Sequence, residues 1–442
     1  MESLGEGTEL FHLQKEKLRE MTVVFLKEFY EKLGTEGRHT TMLDTHVPFM
    51  PTGQETGTFL TLDVGGTNLR VCCVSLLGDR KTKSYYRVFR IPAEKKTGTG
   101  RELFDFVAAC IEKSIPELLR ELEEKQKVKM KTKRFGDKQK YPLSFTFSFP
   151  VEQKTISSGK LLSLSKGFTC SGMVGEDIVE LLQSSLDARN TPVQIVTLIN
   201  DSVGTLMSAA YKKNNVIAGV VIGTGTNAAY FDESKKTVIN TEWGDFRPSI
   251  LPRNVYDGRL DESTENRESH LFEKMISGKY LGELFRLVLA DHQDAFEGET
   301  SLPETPFAVD TAEMSEFFRM KEQPIENFGT KKKIFGVELT KKNRELLVRI
   351  CEKIYRRSAS LVAVGISALY LKVGGPKNQK INISIDGSIY SKIIQYATVL
   401  NDYIAEILPE DSYNIVVTEE SDGSSIGGAV VAALKLEKEG LT

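Results

Sequence analysis

The sequence predicts an α/β protein, and three observations carry that prediction. Strand-like and helix-like segments alternate along the chain, the pattern of sheets covered by helices. Two short units, residues 59–71 (FLTLDVGGTNLRV) and 219–233 (GVVIGTGTNAAYFDE), repeat one plan: an apolar strand, a turn of glycine, threonine and asparagine, then a second apolar strand. At 442 residues the chain is too long for one ordinary core, so two or three domains are expected. The repeated hairpins suggest two related halves facing each other.

The elements follow in order. Residues 11–33 place Leu18, Met21, Phe25 and Phe29 at helical spacing, which predicts an amphipathic helix. After the first hairpin comes a strand near Tyr85–Ile91, then a helix over 98–122 entered through Gly-Thr-Gly. LSFTFSFPV (143–151) has the period of a strand and stops at Pro150. Residues 175–189 read as helix, VQIVTLIND (193–201) as a buried strand, and 202–211 as helix, leading into the second hairpin. Residues 268–290 and 344–371 read as helices, INISIDGS (381–388) as a strand running into a turn, and 423–440 as a closing helix.

Composition narrows the function. A net charge of −3, with 40% hydrophobic and 27% charged residues, describes a folded soluble protein and gives no global field for nucleic acid. Lysines crowd residues 125–140, which reads as a solvated loop or charged strand edge rather than an anion-binding surface. The five cysteines are odd in number and lack metal-ligand spacing, as expected of reduced thiols in the cytosol. The N-terminal MESLGEGTEL has no secretory character, and no apolar run is long enough to span a bilayer. A cytoplasmic protein is expected, with no membrane or nucleic-acid partner.

The chemistry concentrates in a few stretches. A glycine-rich turn exposes backbone N–H groups to phosphate oxygens, and Thr67, Asn68, Thr224 and Thr226 add side-chain donors. One such turn reads as a tight hairpin; two matched turns favour phosphate binding, although neither is a P-loop. Asp63 stands where it could meet a phosphate-bound Mg²⁺ through water. Arg70 reads equally as a phosphate partner or as a surface ion pair. Asp201 ends a buried strand just before a helix, so it is either a ligand-facing carboxylate at a sheet edge or the N-cap of that helix. Glu242 and Glu273 lie among apolar neighbours, where a carboxylate needs a partner or a ligand's hydroxyls, a surface ion pair being the alternative for Glu273. Lys166, before Gly167 and Phe168, is the cation expected to point inward.

At these residues the chain resembles the hexokinase family, in its single-catalytic-unit form, from about Leu18 to Leu434. The stretches are LDVGGTNLRV, FTFSFPVEQ, SKGF, NDSVGT, GTGTNAAY, NTEWGDF, FEKMISGKYLGE and SDGSSIGGA, in the family's order and spacing. ILPRNVYD looks closer to fungal-type members, hexokinases or glucokinases, than to animal ones. The resemblance implies the actin-like ATPase fold, two α/β domains flanking a deep cleft, divided as 57–198 plus 428–442 (small) and 1–56 plus 199–427 (large). It implies an ATP- and Mg²⁺-dependent transfer to the 6-hydroxyl of glucose and related hexoses, the first step of glycolysis, by a monomer or homodimer. Asp201 would be the base, with Lys166 and Arg70 offsetting charge, and Asp63 and Asp201 would meet the metal mostly through water. Ser148, Phe149, Ser165, Lys166, Asn200, Asp201, Asn227, Glu242 and Glu273 fall at hexose positions. Asp63, Gly65, Gly66, Thr67, Asn68, Arg70, Gly223, Thr224, Gly225, Thr226, Lys279, Gly387, Ser388 and Ser424 fall at nucleotide positions.

Three departures stand out: Leu164-Ser165 where the family carries Trp-Thr, Ser144 where glycine is common, and Asp44 where proline is common. None removes a catalytic group. Two alternatives remain at this stage, a catalytically silent sugar sensor and a kinase for another sugar such as mannose or an N-acetylated amino sugar.

Overall fold

The structure, a computed structural model, describes residues 9–33, 41–319, 321, 333–375 and 379–441. Most of the N-terminal decapeptide used for the targeting expectation lies outside them. Two six-stranded sheets organise the chain. In the first, the strands Thr82–Arg90, Asn68–Leu77 and Thr56–Val64 form an antiparallel meander, and Lys138–Phe147 and then Val193–Ile199 add in parallel. The second repeats that order: Thr237–Asn240, Thr226–Asp232 and Val216–Ile222 antiparallel, then Ile381–Asp386 and Ile415–Glu419 parallel. The hairpin repeat in the sequence is therefore a repeat of a whole sheet topology.

Each sheet buries its faces under helices. Gly100–Gln126 and Ile178–Ala188 cover the first; the former starts in a capping box, Thr99 and Glu102 each accepting from the other's backbone N–H. In the second half, Lys15–Glu31 turns Leu18, Met21, Phe25 and Phe29 completely inward, against a core shared with the 32-residue helix Lys341–Lys372. Between the sheets lie two helices, Asp201–Lys212 and Gly423–Lys438, which share a third apolar cluster with strands of both. They touch where Gly204 faces Gly427, and a Cβ at Gly427 would collide with the Gly204 carbonyl. That contact brings the N-terminal ends of both helices to the gap between the halves.

Some elements differ from the sequence reading. Residues 268–290 form two helices, Leu271–Ile276 and Gly278–Asp291, because Ser277 is extended (φ −90°, ψ 158°). The break has a purpose in the packing: the Gly278 and Lys279 N–H groups freed there donate to the Gly223 and Thr224 carbonyls of the second hairpin at 2.8 and 3.2 Å. The lysine-rich stretch supplies a two-strand edge, Lys133–Phe135 against Lys138–Phe147. Ser144 fits because its hydroxyl accepts from Thr197 Oγ1 at 2.7 Å and the helix above it carries Gly428. Asp44 accepts from the His46 N–H (2.7 Å) and the Thr237 hydroxyl (2.8 Å), which fixes the turn into the connection. All five cysteines are free and buried. Among the described residues no helix is long and apolar enough to cross a membrane.

Candidate active site

The strand and helix ends described above converge on a polar cleft of about 620 Å³ between the halves. Both hairpins line it. In the first, Asp63 pairs across the ladder with Arg70, and Gly65, Gly66 and Thr67 make the turn. In the second, Ile222 pairs with Thr226 around Gly223, Thr224 and Gly225. Gly225 is packed against Glu273, whose carboxylate would lie 2.5 Å from any Cβ there and accepts the Thr226 N–H at 3.0 Å. A second cavity of about 990 Å³ adjoins this hairpin and contains Lys279 together with apolar side chains such as Val309 and Ile389.

The floor is the start of the helix Asp201–Lys212. Asn200, not Asp201, is its N-cap, accepting from the Ser202 N–H at 2.9 Å. The Asp201 carboxylate, in the helix's first turn, accepts the same N–H at 2.9 Å and, half-buried, also lines the cleft. Beside it lies a buried amide network. Asn227 Nδ2 donates to Asn240 Oδ1 (2.8 Å), Asn200 Oδ1 (3.1 Å) and Glu242 Oε1 (3.3 Å), and Asn240 Nδ2 donates to Glu242 Oε1 at 2.8 Å. Such a wall of amides and carboxylates both donates and accepts, as a polyhydroxyl ligand requires. Asn240 escaped the sequence reading; its position two residues before Glu242, at the end of a strand, was the available signal.

Lys166 leans over this floor, its Nζ donating to the Ser148 carbonyl at 2.6 Å, and Ser165 lines the same wall. Phe149 is a correction. It is buried between Phe147 and Phe168 (ring centroids 4.6 and 5.2 Å away) and supports the lysine from below instead of facing a ligand. Gly66 has a second duty: a Cβ there would lie 3.1 Å from Lys166 Cβ, so the glycine makes room for the lysine stem. Thr67 is exposed and does not line the cleft, while Asn68 does. Thr226 lines the cleft too, but its hydroxyl accepts the buried Trp243 indole N–H at 3.0 Å and its own N–H is given to Glu273. It anchors the hairpin. The Gly223 N–H likewise stays inside the turn, on the Gly225 carbonyl, and the Gly65 N–H goes to the Asn68 carbonyl. Arg70 makes an ion pair with Asp422, the residue before the helix Gly423–Lys438, over the Tyr86 ring. Ser424 lines the cleft beside it, and Ser388 lies where the two cavities meet. Gly387 (φ 126°) abuts the Ile222 carbonyl too closely for any side chain.

Two family models, both described as hexokinase, match residues 3–211 and 217–434. The chain belongs to the hexokinase family. Hexokinase-1 of Spinacia oleracea is 36% identical over 446 residues, covering 94% of this chain and 87% of that protein. The hexokinase of Schwanniomyces occidentalis is 34% identical over 472 residues, with coverages of 100% and 95%. A solved hexokinase from Schistosoma mansoni, complexed with glucose, superposes with a TM-score of 0.81 at 30% identity, covering 98% of each chain. Plant and fungal hexokinases thus match to similar extents, and the expected actin-like ATPase fold is the fold of this chain.

The electrostatics of this hexokinase cleft are dominated by acids. Burial, then repulsion from Asp201, pushes Asp63 up to about 7 against the pull of Arg70 and Lys166. Burial also lifts Glu242 to about 8, with the hydrogen bond from Asn240 opposing and Asp201 adding to the rise. Asp386, a third acid at a strand end, is raised to about 6 by burial, partly offset by the Gly423 N–H and reinforced by Asp201. The sequence reading took Gly387 and Ser388 but missed Asp386, although it precedes a glycine at a strand end much as Asp63 does. Asp63, Asp201 and Asp386 come from three separate element ends and leave the cleft short of positive charge. A divalent cation carried by phosphates fits that deficit. Among the described residues no three acids, histidines or cysteines are grouped so as to hold a metal ion directly. Lys166, Glu242, His270 and Asp422, all lining the cleft, adopt left-handed backbone (φ 46–58°), as do other non-glycine residues away from it.

Proposed function

We propose that this hexokinase-family enzyme transfers the terminal phosphoryl group of ATP to the 6-hydroxyl of glucose and related hexoses, with Asp201 accepting the hydroxyl proton. The observation that carries the reading is that Asp201 lines one cleft together with two different surfaces, the amide and carboxylate wall of Asn200, Asn227, Glu242 and Glu273 and the two glycine hairpins. The first suits a sugar and the second a phosphate chain, and a carboxylate in the same cleft can orient one hydroxyl toward one phosphorus.

Transfer of this kind depends on positioning and charge neutralisation more than on covalent help. Asp201 holds and deprotonates the acceptor. Lys166 and Arg70 counter charge on the transferring group, Arg70 after exchanging Asp422 for a phosphate oxygen. Mg²⁺, bound with ATP near Asp63 and Asp201, would neutralise phosphate charge and align the chain. The halves, taken as 57–198 plus 428–442 and 1–56 plus 199–427, close on the sugar, excluding water that would compete as acceptor. A coupled assay with Mg-ATP and a panel of glucose, mannose, fructose and N-acetylglucosamine tests this. Turnover is expected with glucose at least as fast as with the others. Glucose binding without turnover would favour the sensor reading, and faster turnover of another sugar would reassign the substrate.

A further inference from the structure

The polar cleft and the larger cavity beside it share three lining residues, Thr224, Ser388 and Lys392. Across this shared wall a bound nucleotide could place its base among the apolar side chains of the outer cavity and its last phosphate near Asp201. Two hydroxyls and an ammonium group make up that wall. We propose that Lys392 is a contact for the phosphate chain of the nucleotide and sets its affinity, an inference that rests on the ATP reading above.

The charge pattern argues for it. A triphosphate entering this site meets Asp63, Asp201 and Asp386, so it needs cations that can reach its oxygens. Besides Lys392, the lysine and arginine lining the cleft are already engaged, Arg70 with Asp422 and Lys166 with the Ser148 carbonyl. Lys279 lies in the outer cavity only, its ammonium 5.4 Å from the Tyr280 ring centre. Among the described residues Lys392 is the one cation lining both cavities, and its ammonium has neither an ion pair nor a hydrogen bond there. Its backbone, by contrast, is fixed. The buried Ile389 and Tyr390 anchor the segment Ser388–Lys392, and the Ser315 hydroxyl donates to the Lys392 carbonyl at 3.4 Å. A free ammonium on a fixed stem can follow a flexible chain of phosphates as a point charge, without the fixed fork of an arginine.

The test uses the full-length enzyme carrying Lys392→Ala, with Lys392→Gln as a second neutral variant and Lys392→Arg as the conservative one. Loss of a charge-assisted contact is expected to raise KM for Mg-ATP about tenfold or more. KM for glucose and kcat should stay within about threefold, because neither the sugar wall nor Asp201 is touched. Lys392→Arg should restore most of the nucleotide affinity. Direct binding, read from the fluorescence of the single tryptophan, Trp243, should show ATP weakened by the neutral variants and adenosine unaffected. Equal ATP affinity in wild type and both neutral variants overturns the assignment of Lys392 while leaving the ATP reading intact. A wild type that binds no ATP at all overturns both.

Discussion

Replacing Asp63 by asparagine is expected to stabilise the unliganded protein at pH 8 while impairing catalysis. The aspartate's folded-state value of about 7 stands some three units above its ordinary 3.8, because burial and the neighbouring Asp201 penalise the charged form. A group raised in this way contributes stability that is fully present below its unfolded value and is lost as pH rises through its folded value. At about 1.4 kcal/mol per unit, complete ionisation would cost the folded state about 4 kcal/mol. Asp63 is only partly shielded from water, and solvent screening brings the expected figure to about 2 kcal/mol. Asparagine keeps the shape without the charge and escapes this loss. Urea unfolding of wild type and Asp63→Asn, both without nucleotide, should therefore show an advantage for the variant that grows by about 1.5 kcal/mol between pH 4.5 and 8. Its turnover with Mg-ATP should fall about 10- to 100-fold, through loss of the carboxylate proposed to meet Mg²⁺ through water. An advantage that is constant or shrinking with rising pH would refute the argument that the empty cleft stores repulsion among its acids.

Three further outcomes follow from the site. Gly66→Ala places a methyl group 3.1 Å from Lys166 Cβ, so the lysine must shift; turnover should fall about tenfold with the melting temperature within a degree or two, and unchanged turnover would free Gly66 from that duty. Thr226→Val leaves the buried Trp243 indole N–H without its acceptor and should cost about 1–3 kcal/mol in urea unfolding, with Thr226→Ser near wild type; equal losses in both would show that the hydroxyl is not the anchor. Sugar hydroxyls donating to Glu242 favour its charged form, so glucose binding should release a proton and tighten as pH rises from 6.5 toward 8, where the free carboxyl titrates. Calorimetry at those two pH values checks this, and Glu242→Gln should bind glucose more weakly and without that dependence.

The parts of the site that could be read from the sequence were those written in local pattern. The two hairpins, the Asn-Asp strand end and the helix carrying Leu18, Met21, Phe25 and Phe29 each declare themselves within a dozen or so residues. Two misreadings had a readable signal. Phe145, Phe147 and Phe149 alternate at the strand period, which continues the core face through Phe149. Asp386 repeats the strand-end acid seen at Asp63. Other features depend on partners remote in sequence. The Arg70–Asp422 pair joins residues 352 positions apart, and the helix break at Ser277 exists because the second hairpin takes the freed N–H groups. Nor does the sequence reveal that Thr226 turns its hydroxyl toward Trp243, since a threonine in a glycine turn looks the same whichever way it faces.

The central claim is that Asp201 takes the proton from the sugar hydroxyl. Its most direct test is a comparison of wild type and Asp201→Ala in the coupled glucose and Mg-ATP assay, with glucose binding followed by Trp243 fluorescence. General-base assistance is worth about 10²- to 10⁴-fold, so turnover should drop by at least a hundredfold while glucose still binds to the amide and carboxylate wall. Turnover near the wild-type level in Asp201→Ala would contradict the account.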